Sequence, residues 1–250
     1  MTMMHAGYAV LLSAAAGAAT ALGGAAAVWL RPSRRILAAA LGFAGGVMVS
    51  VSLADLLPQA AKTAAVFLGG AAGAAAVTLA MALGMAVSLF MEWFLPEQSG
   101  DANGLWRLGL LSMSALLLHN LPEGMAVFVG AGADRSLGLS LAGAIALHNF
   151  PEGISVAMPV WAATGSRAKA IGMAALSGAA EPIGALLTWI FTGGNVGELT
   201  LAVLFAAIAG LMTCLSFAQL FPGALAKSTS SAAAGALLGT LVMIFSLCMV

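Results

Sequence analysis

The chain has 250 residues, of which 62% are hydrophobic and only 7% are charged, and its formal net charge is zero. A soluble domain carries about 25% charged residues, so this composition leaves too few charges to cover a water-facing surface. The balanced charge also gives no reason to expect a nucleic-acid partner. The sequence therefore predicts an all-α polytopic membrane protein in direct contact with the lipid bilayer, without a separate soluble domain.

Apolar runs of about 20 residues predict membrane-spanning helices. Eight such runs form one predicted transmembrane domain that covers residues 1–250. Polar residues separate most of them, and the weakest separation is the stretch from Pro58 to Lys62. In chain order the approximate bounds are 7–30, 36–57, 64–95, 105–131, 136–160, 168–192, 198–222 and 231–250.

The first run is predicted to stay in the mature chain as a spanning helix. No Lys or Arg precedes it, and the cluster of Arg31, Arg34 and Arg35 follows it instead. This order is the reverse of a secretory signal peptide, in which the positive charges come first.

Positive charge is distributed unevenly between the predicted loops. Loops two and four carry only Lys62 and Arg135, whereas the odd-numbered loops carry the other seven of the nine Lys and Arg residues. Because Lys and Arg concentrate in cytoplasmic loops, the odd loops are predicted to face the cytoplasm and both termini the outside. The seven residues are Arg31, Arg34, Arg35, Arg107, Arg167, Lys169 and Lys227.

The motif His-Asn-x-Pro-Glu-Gly occurs twice, at residues 119–124 in the fourth run and at residues 148–153 in the fifth. In each copy His and Glu are i and i+4, so both side chains lie on one face of the helix. At 1.5 Å per residue the two histidines lie about 21 Å and about 18 Å from the predicted helix starts. Because the two helices are antiparallel, both motifs are predicted to meet at the membrane midplane.

Ionisable side chains at such depth are costly and mark ion paths or bound partners. Glu123, Glu152 and Glu181 have no Lys or Arg inside the membrane to pair with, so they are either protonated or share a cation. Neighbouring imidazole and amide groups favour the cation, and this donor set suits Zn²⁺, Fe²⁺ or Mn²⁺ better than Mg²⁺ or Ca²⁺. More than four ligands are available, so two ions, or one ion with changing ligands, would fit. The candidate ligands are His119, Asn120, Glu123, His148, Asn149, Glu152 and Glu181.

The proline and glycine of each motif have predicted structural roles. Pro122 and Pro151 each remove an intrahelical hydrogen-bond donor, which predicts kinked fourth and fifth helices at the core of the bundle. Gly124 and Gly153 carry no side chain and are predicted to let neighbouring helices approach closely.

The paired motifs resemble helices four and five of the ZIP (ZRT/IRT-like) metal-ion transporters. Residues 148–165 and 177–182 resemble the bacterial branch of that family, and the resemblance covers most of the chain. It implies eight helices with both ends outside, an inner-membrane location, and uptake of divalent metal into the cytoplasm. Zinc is the first expectation, with iron, manganese, cobalt and cadmium as alternatives. The metal would be the transported substrate and not a prosthetic group. The resemblance also implies a homodimer and a rocking or elevator-type movement.

The resemblance assigns roles to individual residues as well. The seven candidate ligands match those of a binuclear metal centre in which Glu123 and Glu152 bridge the ions. Met48 in helix two matches a thioether ligand. Asp55, two turns further along the same face, matches a position at the outer entrance.

Two residues are candidates for the exit side of the path. Helix seven carries Ala218 and Gln219 where members of the bacterial branch carry acidic residues, so Gln219 departs from the family pattern. Glu92 near the end of helix three is either an exit residue or a surface acid that reaches the membrane interface.

Two other functions remain as alternatives to a carrier. A mid-membrane metal could activate water in an intramembrane hydrolase. The sequence contains no His-Glu-x-x-His, however, and an antiparallel duplicate is typical of transporters, so no enzyme is predicted. A metal-gated channel would place the same residues in the membrane, and the sequence does not separate it from a carrier.

Overall fold

The computed structural model describes residues 3–95 and 101–249, which form helices and short turns with no β-strand among them. The predicted all-α architecture is confirmed. In chain order the helices are α1 (Met3–Ala27), α2 (Arg34–Val51), α3 (Leu57–Leu68), α4 (Gly70–Phe94), α5 (Asp101–Ala133), α6 (Arg135–Thr164), α7 (Arg167–Gly178), α8 (Ala180–Thr192), α9 (Glu198–Leu215), α10 (Phe221–Leu225) and α11 (Thr229–Met249).

Six helical segments in the described residues are long and apolar enough to cross a membrane. The two helices that carry the motifs, α5 and α6, are not among the six, although they have 33 and 30 residues. The reason is that His, Asn and Glu lower the mean hydropathy of these two helices. The count of eight spans therefore stays a prediction. The predicted end of the last span at residue 250, and residues 96–100 of the third loop, lie outside the described residues.

Two π-helical turns occur within continuous helical segments. Ser52–Leu56 joins α2 to α3, and Ser216–Leu220 joins α9 to α10. Each is followed by a proline in the first turn of the next helix, Pro58 or Pro222. Proline has no N–H to donate, and in each π-turn the residue before it, Leu57 or Phe221, donates five residues back, to the carbonyl oxygen of Ser52 or Ser216. The predicted break from Pro58 to Lys62 is therefore wrong, and the helix continues to Leu68.

The break between the second and third segments lies at Gly69, which has φ +83° and ψ 161°. Only glycine adopts this backbone conformation readily.

We expect Gly69→Ala to lower the free energy of unfolding by about 1–3 kcal/mol, measured by thermal unfolding in detergent. The neighbouring control Gly70→Ala adds a Cβ with no atom within 4 Å and should leave stability unchanged or slightly higher. Equal losses in both variants would contradict the assignment of strain to Gly69.

The motif helices lie at the centre of the bundle. Helices α5 and α6 pack against each other and against α1, and α5 also packs against α8. Around this centre α2 pairs with α11, and α4 pairs with α9. We call the end where α5 begins and α6 ends the basic end, since it carries Arg107 and Arg167.

The half of the bundle between the motifs and the basic end is filled by apolar side chains. Leu111 and Leu116 of α5, Met158 of α6 and Met212 of α9 are each at most 1% exposed and belong to one cluster. We call these four residues the apolar seal. They lie between the motif region and the basic end.

Candidate metal centre

Both motif histidines contact the same carboxylate. Nε2 of His148 lies 2.8 Å from Oε1 of Glu123, and Nε2 of His119 lies 3.2 Å from that oxygen. Nε2 of His119 also lies 3.3 Å from Oε1 of Glu152. One ligand atom each of His119, Glu123 and His148 falls within 4.8 Å of the other two. A single ion could therefore contact all three side chains with little adjustment.

This convergence follows from the local helix geometry. Helices α5 and α6 remain helical through Pro122 and Pro151, so His and Glu of each motif stay one turn apart on one face. The two helices pack side by side in opposite directions, which brings the two faces together. All four of these side chains are at most 5% exposed.

The two motif asparagines present their amide oxygens without partners. Nδ2 of Asn120 donates to the carbonyl oxygen of Ser177 at 3.0 Å. Nδ2 of Asn149 donates to the carbonyl oxygen of Ala16 at 3.2 Å and to Oε1 of Glu181. Oδ1 of both asparagines is buried and accepts no hydrogen bond within the described residues. Because the amide nitrogens are already held by protein acceptors, the oxygens remain free to bind a cation.

Glu181 is the third buried carboxylate, and it lies in the first turn of α8. One oxygen each of Glu123, Glu152 and Glu181 has no hydrogen-bond partner in the described part of the chain. The ion pairs found there involve only histidine, with no Lys or Arg beside these acids. Buried carboxylates without an opposite charge are strongly destabilising, and a divalent cation would supply that charge.

The motif glycines allow the close helix contacts that surround the centre. A Cβ on Gly124 would lie 1.9 Å from the carbonyl oxygen of Glu181, and a Cβ on Gly153 would lie 1.9 Å from that of Thr20. The predicted close packing is confirmed. The contact at Gly124 also explains how α8 brings Glu181 next to α5.

A cavity of about 250 Å³ extends from the centre away from the basic end. Its polar lining comes from Asp55, Gln59, Glu123 and His148. Asp55 thus shares a cavity with two candidate ligands. Gln59, which was not among the residues predicted from the sequence, donates from Nε2 to Oδ1 of Asp55. Gln59 follows Asp55 by four residues, and side chains at i and i+4 of a helix are neighbours, so this spacing could have identified Gln59 from the sequence.

The structure places the remaining candidates in two different surroundings. Met48 is 1% exposed within the main apolar cluster, on a helix that packs against α6. Glu92 and Gln219 lie together, because Nε2 of Gln219 donates to Oε1 of Glu92. Glu92 is half-buried in addition to this hydrogen bond.

Unpaired ligands buried at the centre of a helical membrane bundle, reached through a cavity, are typical of proteins that move metal ions across membranes. The protein is an integral membrane transporter of divalent metal ions. Residues 96–247 match the family described as ZIP Zinc transporter, and the chain belongs to this family. The family is one of transporters, so the chain is not an enzyme and the metal is its transported substrate.

Curated relatives support the same assignment. The chain is 39% identical to the "Zinc transporter ZupT" of Akkermansia muciniphila, with 85% of this chain and 86% of that protein covered. It is 38% identical to proteins of the same name from Enterobacter sp. (strain 638) and Escherichia coli O127:H6, with 95% of each chain covered. The predicted resemblance to the bacterial branch of the family is confirmed.

Proposed function

We propose that the protein carries divalent transition-metal ions into the cytoplasm across the bacterial inner membrane, with zinc as the preferred substrate. The observation that carries this proposal is the buried group of His119, Glu123 and His148, whose ligand atoms lie within 4.8 Å of one another and two of which line a cavity. Iron, manganese, cobalt and cadmium ions prefer overlapping donor sets and are the expected competitors. The names of the relatives support zinc as the first choice.

We further propose that the centre holds two ions. Zinc in proteins is usually four-coordinate, and the seven candidate ligands exceed that number. The free oxygens of Asn120, Asn149, Glu152 and Glu181 are available in addition to the His–Glu–His group. Glu123 contacts both histidines, and Glu152 contacts His119, so these two carboxylates are the proposed bridging ligands. Met48 is the proposed thioether ligand.

The proposed transport mode is that of a carrier. A channel needs a continuous path, whereas here a cavity lies on one side of the centre and the apolar seal on the other. Apolar side chains packed at interior density exclude a hydrated cation, because its desolvation is very costly. Metal transport then requires a rearrangement that opens the basic end. This distinction favours the carrier over the metal-gated channel.

The proposed direction places the basic end in the cytoplasm. The excess of Lys and Arg at this end supports that orientation. Metal would enter from outside past Asp55, lose water within the cavity, and bind at the centre. A homodimer is implied by the family and stays a prediction.

The decisive experiment reconstitutes the purified protein in liposomes that contain a metal-sensitive dye. We expect saturable Zn²⁺ uptake with a steep temperature dependence, inhibited by Cd²⁺, Fe²⁺ or Mn²⁺ in proportion to their affinity. Elemental analysis of the same preparation after loading should give two metal ions per chain. Non-saturating flux would indicate a channel, and turnover of lipid or peptide without flux would revive the hydrolase.

Asp55 provides a test of the entrance. We expect Asp55→Asn to raise the KM for Zn²⁺ uptake about tenfold with little change in maximal rate. The reason is that a carboxylate at the cavity mouth concentrates cations but does not hold them at the centre. Asp55→Glu should restore most of the affinity. A large loss of maximal rate with unchanged KM would assign Asp55 to a later step.

A further inference from the structure

The basic end carries exposed positive charge on two connections between helices. One connection joins α1 to α2, and the other joins α6 to α7. Residues 28–35 and 164–169 contain no Asp or Glu, and every basic side chain in these two stretches is exposed. We call this set the cation cluster, and it consists of Arg31, Arg34, Arg35, Arg167 and Lys169.

The packing of α1 brings the two connections together. A Cβ on Gly17 would lie 2.2 Å from the carbonyl oxygen of Gly178, and a Cβ on Gly24 would lie 2.6 Å from Cβ of Ala174. These two contacts show that α1 and α7 are antiparallel, so the end of α1 lies beside the start of α7. The buried residues next to the two connections belong to one apolar cluster, and they include Val28, Leu37, Trp161 and Ala170.

The chain supplies no negative charge to the cation cluster. Ion pairs within residues 3–95 and 101–249 involve only histidine. The guanidinium of Arg167 lies 5.5 Å from the ring centroid of Trp161, a contact that orients the cation without neutralising it. Arg34 and Arg35 begin α2, and Arg167 begins α7, where the helix dipole disfavours positive charge. An anion from outside the chain would therefore be stabilising at this surface.

Two large apolar side chains beside the cluster indicate which kind of anion fits. Trp29 is 80% exposed and Leu30 is 53% exposed, and they directly precede Arg31. Tryptophan is enriched at the membrane interface, where its ring lies at the level of the lipid headgroups. Basic residues next to a membrane segment attract anionic lipids. Apolar side chains and cations side by side match a lipid that has both acyl chains and a negative headgroup.

We infer that the cation cluster binds the headgroup of an anionic phospholipid, and that Trp29 and Leu30 contact its acyl chains. The bound phosphate lies between the α1–α2 connection and the start of α7. The lipid thereby links α2 to the helices that surround the metal centre. This inference goes beyond the proposed transport function and does not depend on it.

The test is native mass spectrometry of the purified protein in detergent, with phosphatidylglycerol and phosphatidylcholine at equal concentrations. We expect the wild type to bind the anionic lipid at least about tenfold more tightly than the zwitterionic one. Arg34→Gln, Arg35→Gln and Arg167→Gln should each lower the affinity for phosphatidylglycerol about fivefold, since each removes one cation near the membrane surface. The triple variant should bind both lipids equally.

The matched control removes positive charge at the opposite end of the bundle. Lys62 and Arg135 are exposed there, and the double variant Lys62→Gln with Arg135→Gln should keep the lipid preference of the wild type. Lysine at positions 34, 35 and 167 keeps the charge and should keep the preference as well. The inference is wrong if the triple glutamine variant still prefers phosphatidylglycerol, or if the control loses the preference equally. The single variants decide the question if the triple variant does not fold.

A fluorescence measurement distinguishes a lipid from a soluble phosphate. The chain has five tryptophans, and the difference between the wild type and Trp29→Phe isolates the emission of Trp29. We expect phosphatidylglycerol with brominated acyl chains to quench this emission, and millimolar inorganic phosphate to leave it unchanged. If inorganic phosphate displaces the lipid at that concentration, the cluster is a site for soluble phosphate and the inference fails. Neither measurement requires metal flux, so failure here leaves the proposed transport function untouched.

Discussion

Glu123→Gln is expected to weaken Zn²⁺ binding at least about 100-fold and to reduce uptake to the background of empty liposomes. The substitution keeps the size of the side chain but removes its negative charge. Oε1 of Glu123 contacts both His148 and His119, at 2.8 and 3.2 Å. Loss of the negative charge on this oxygen therefore weakens the contacts of Glu123 with both histidines. Isothermal titration with Zn²⁺ and dye-based uptake measure the two effects.

A matched control separates this effect from a general loss of negative charge. Glu198 begins α9, is exposed, and is not among the residues that line the cavity next to Glu123 and His148. Glu198→Gln should bind Zn²⁺ with the affinity of the wild type. Wild-type uptake by Glu123→Gln would exclude this carboxylate from the transport site.

Gly124→Ala is expected to destabilise the fold by about 3 kcal/mol or more and to abolish uptake. The added Cβ would lie 1.9 Å from the carbonyl oxygen of Glu181, which is rigid backbone. Helices α5 and α8 would have to separate, and Glu181 would move away from Asn149. Thermal unfolding in detergent measures the loss of stability, and Zn²⁺ titration measures the displacement of the ligand.

The control for this prediction is Gly143→Ala on α6, where the added Cβ meets no atom within 4 Å. Alanine is a better helix former than glycine by about 1 kcal/mol, so this variant should be as stable as the wild type or more so. If Gly124→Ala and Gly143→Ala are equally stable, then close helix packing does not require glycine at position 124. If Gly124→Ala is stable but binds no metal, its effect lies in the position of Glu181 alone.

Much of the candidate site was predictable because it depends on short-range spacing. His119 and Glu123 are one turn apart in any α-helix, as are His148 and Glu152, and antiparallel neighbours must bring such faces together. The close-packing role of Gly124 was predictable for a related reason, since membrane helices approach each other most closely at small residues. These conclusions required no knowledge of which distant helices pack together.

Other features depend on hydrogen bonds and contacts between segments far apart in sequence. Pro58 signals a helix break, yet the π-turn that precedes it lets the helix continue to Leu68. Glu92 taken alone is indistinguishable from a surface acid, because its partner Gln219 lies 127 residues away. The direction of the asparagine amides depends in the same way on the carbonyl groups of Ser177 and Ala16.

An all-α membrane protein with two candidate metal-binding motifs could be recognised from the order of residues, because composition and helical periodicity are local properties. The sharing of Glu123 by both histidines and the place of Asp55 in the same cavity became visible in three dimensions. The burial of the four residues of the apolar seal in one cluster became visible there as well. These features arise where side chains from different helices meet. The periodicity of one helix can be read from the order of its residues, but the packing between helices cannot.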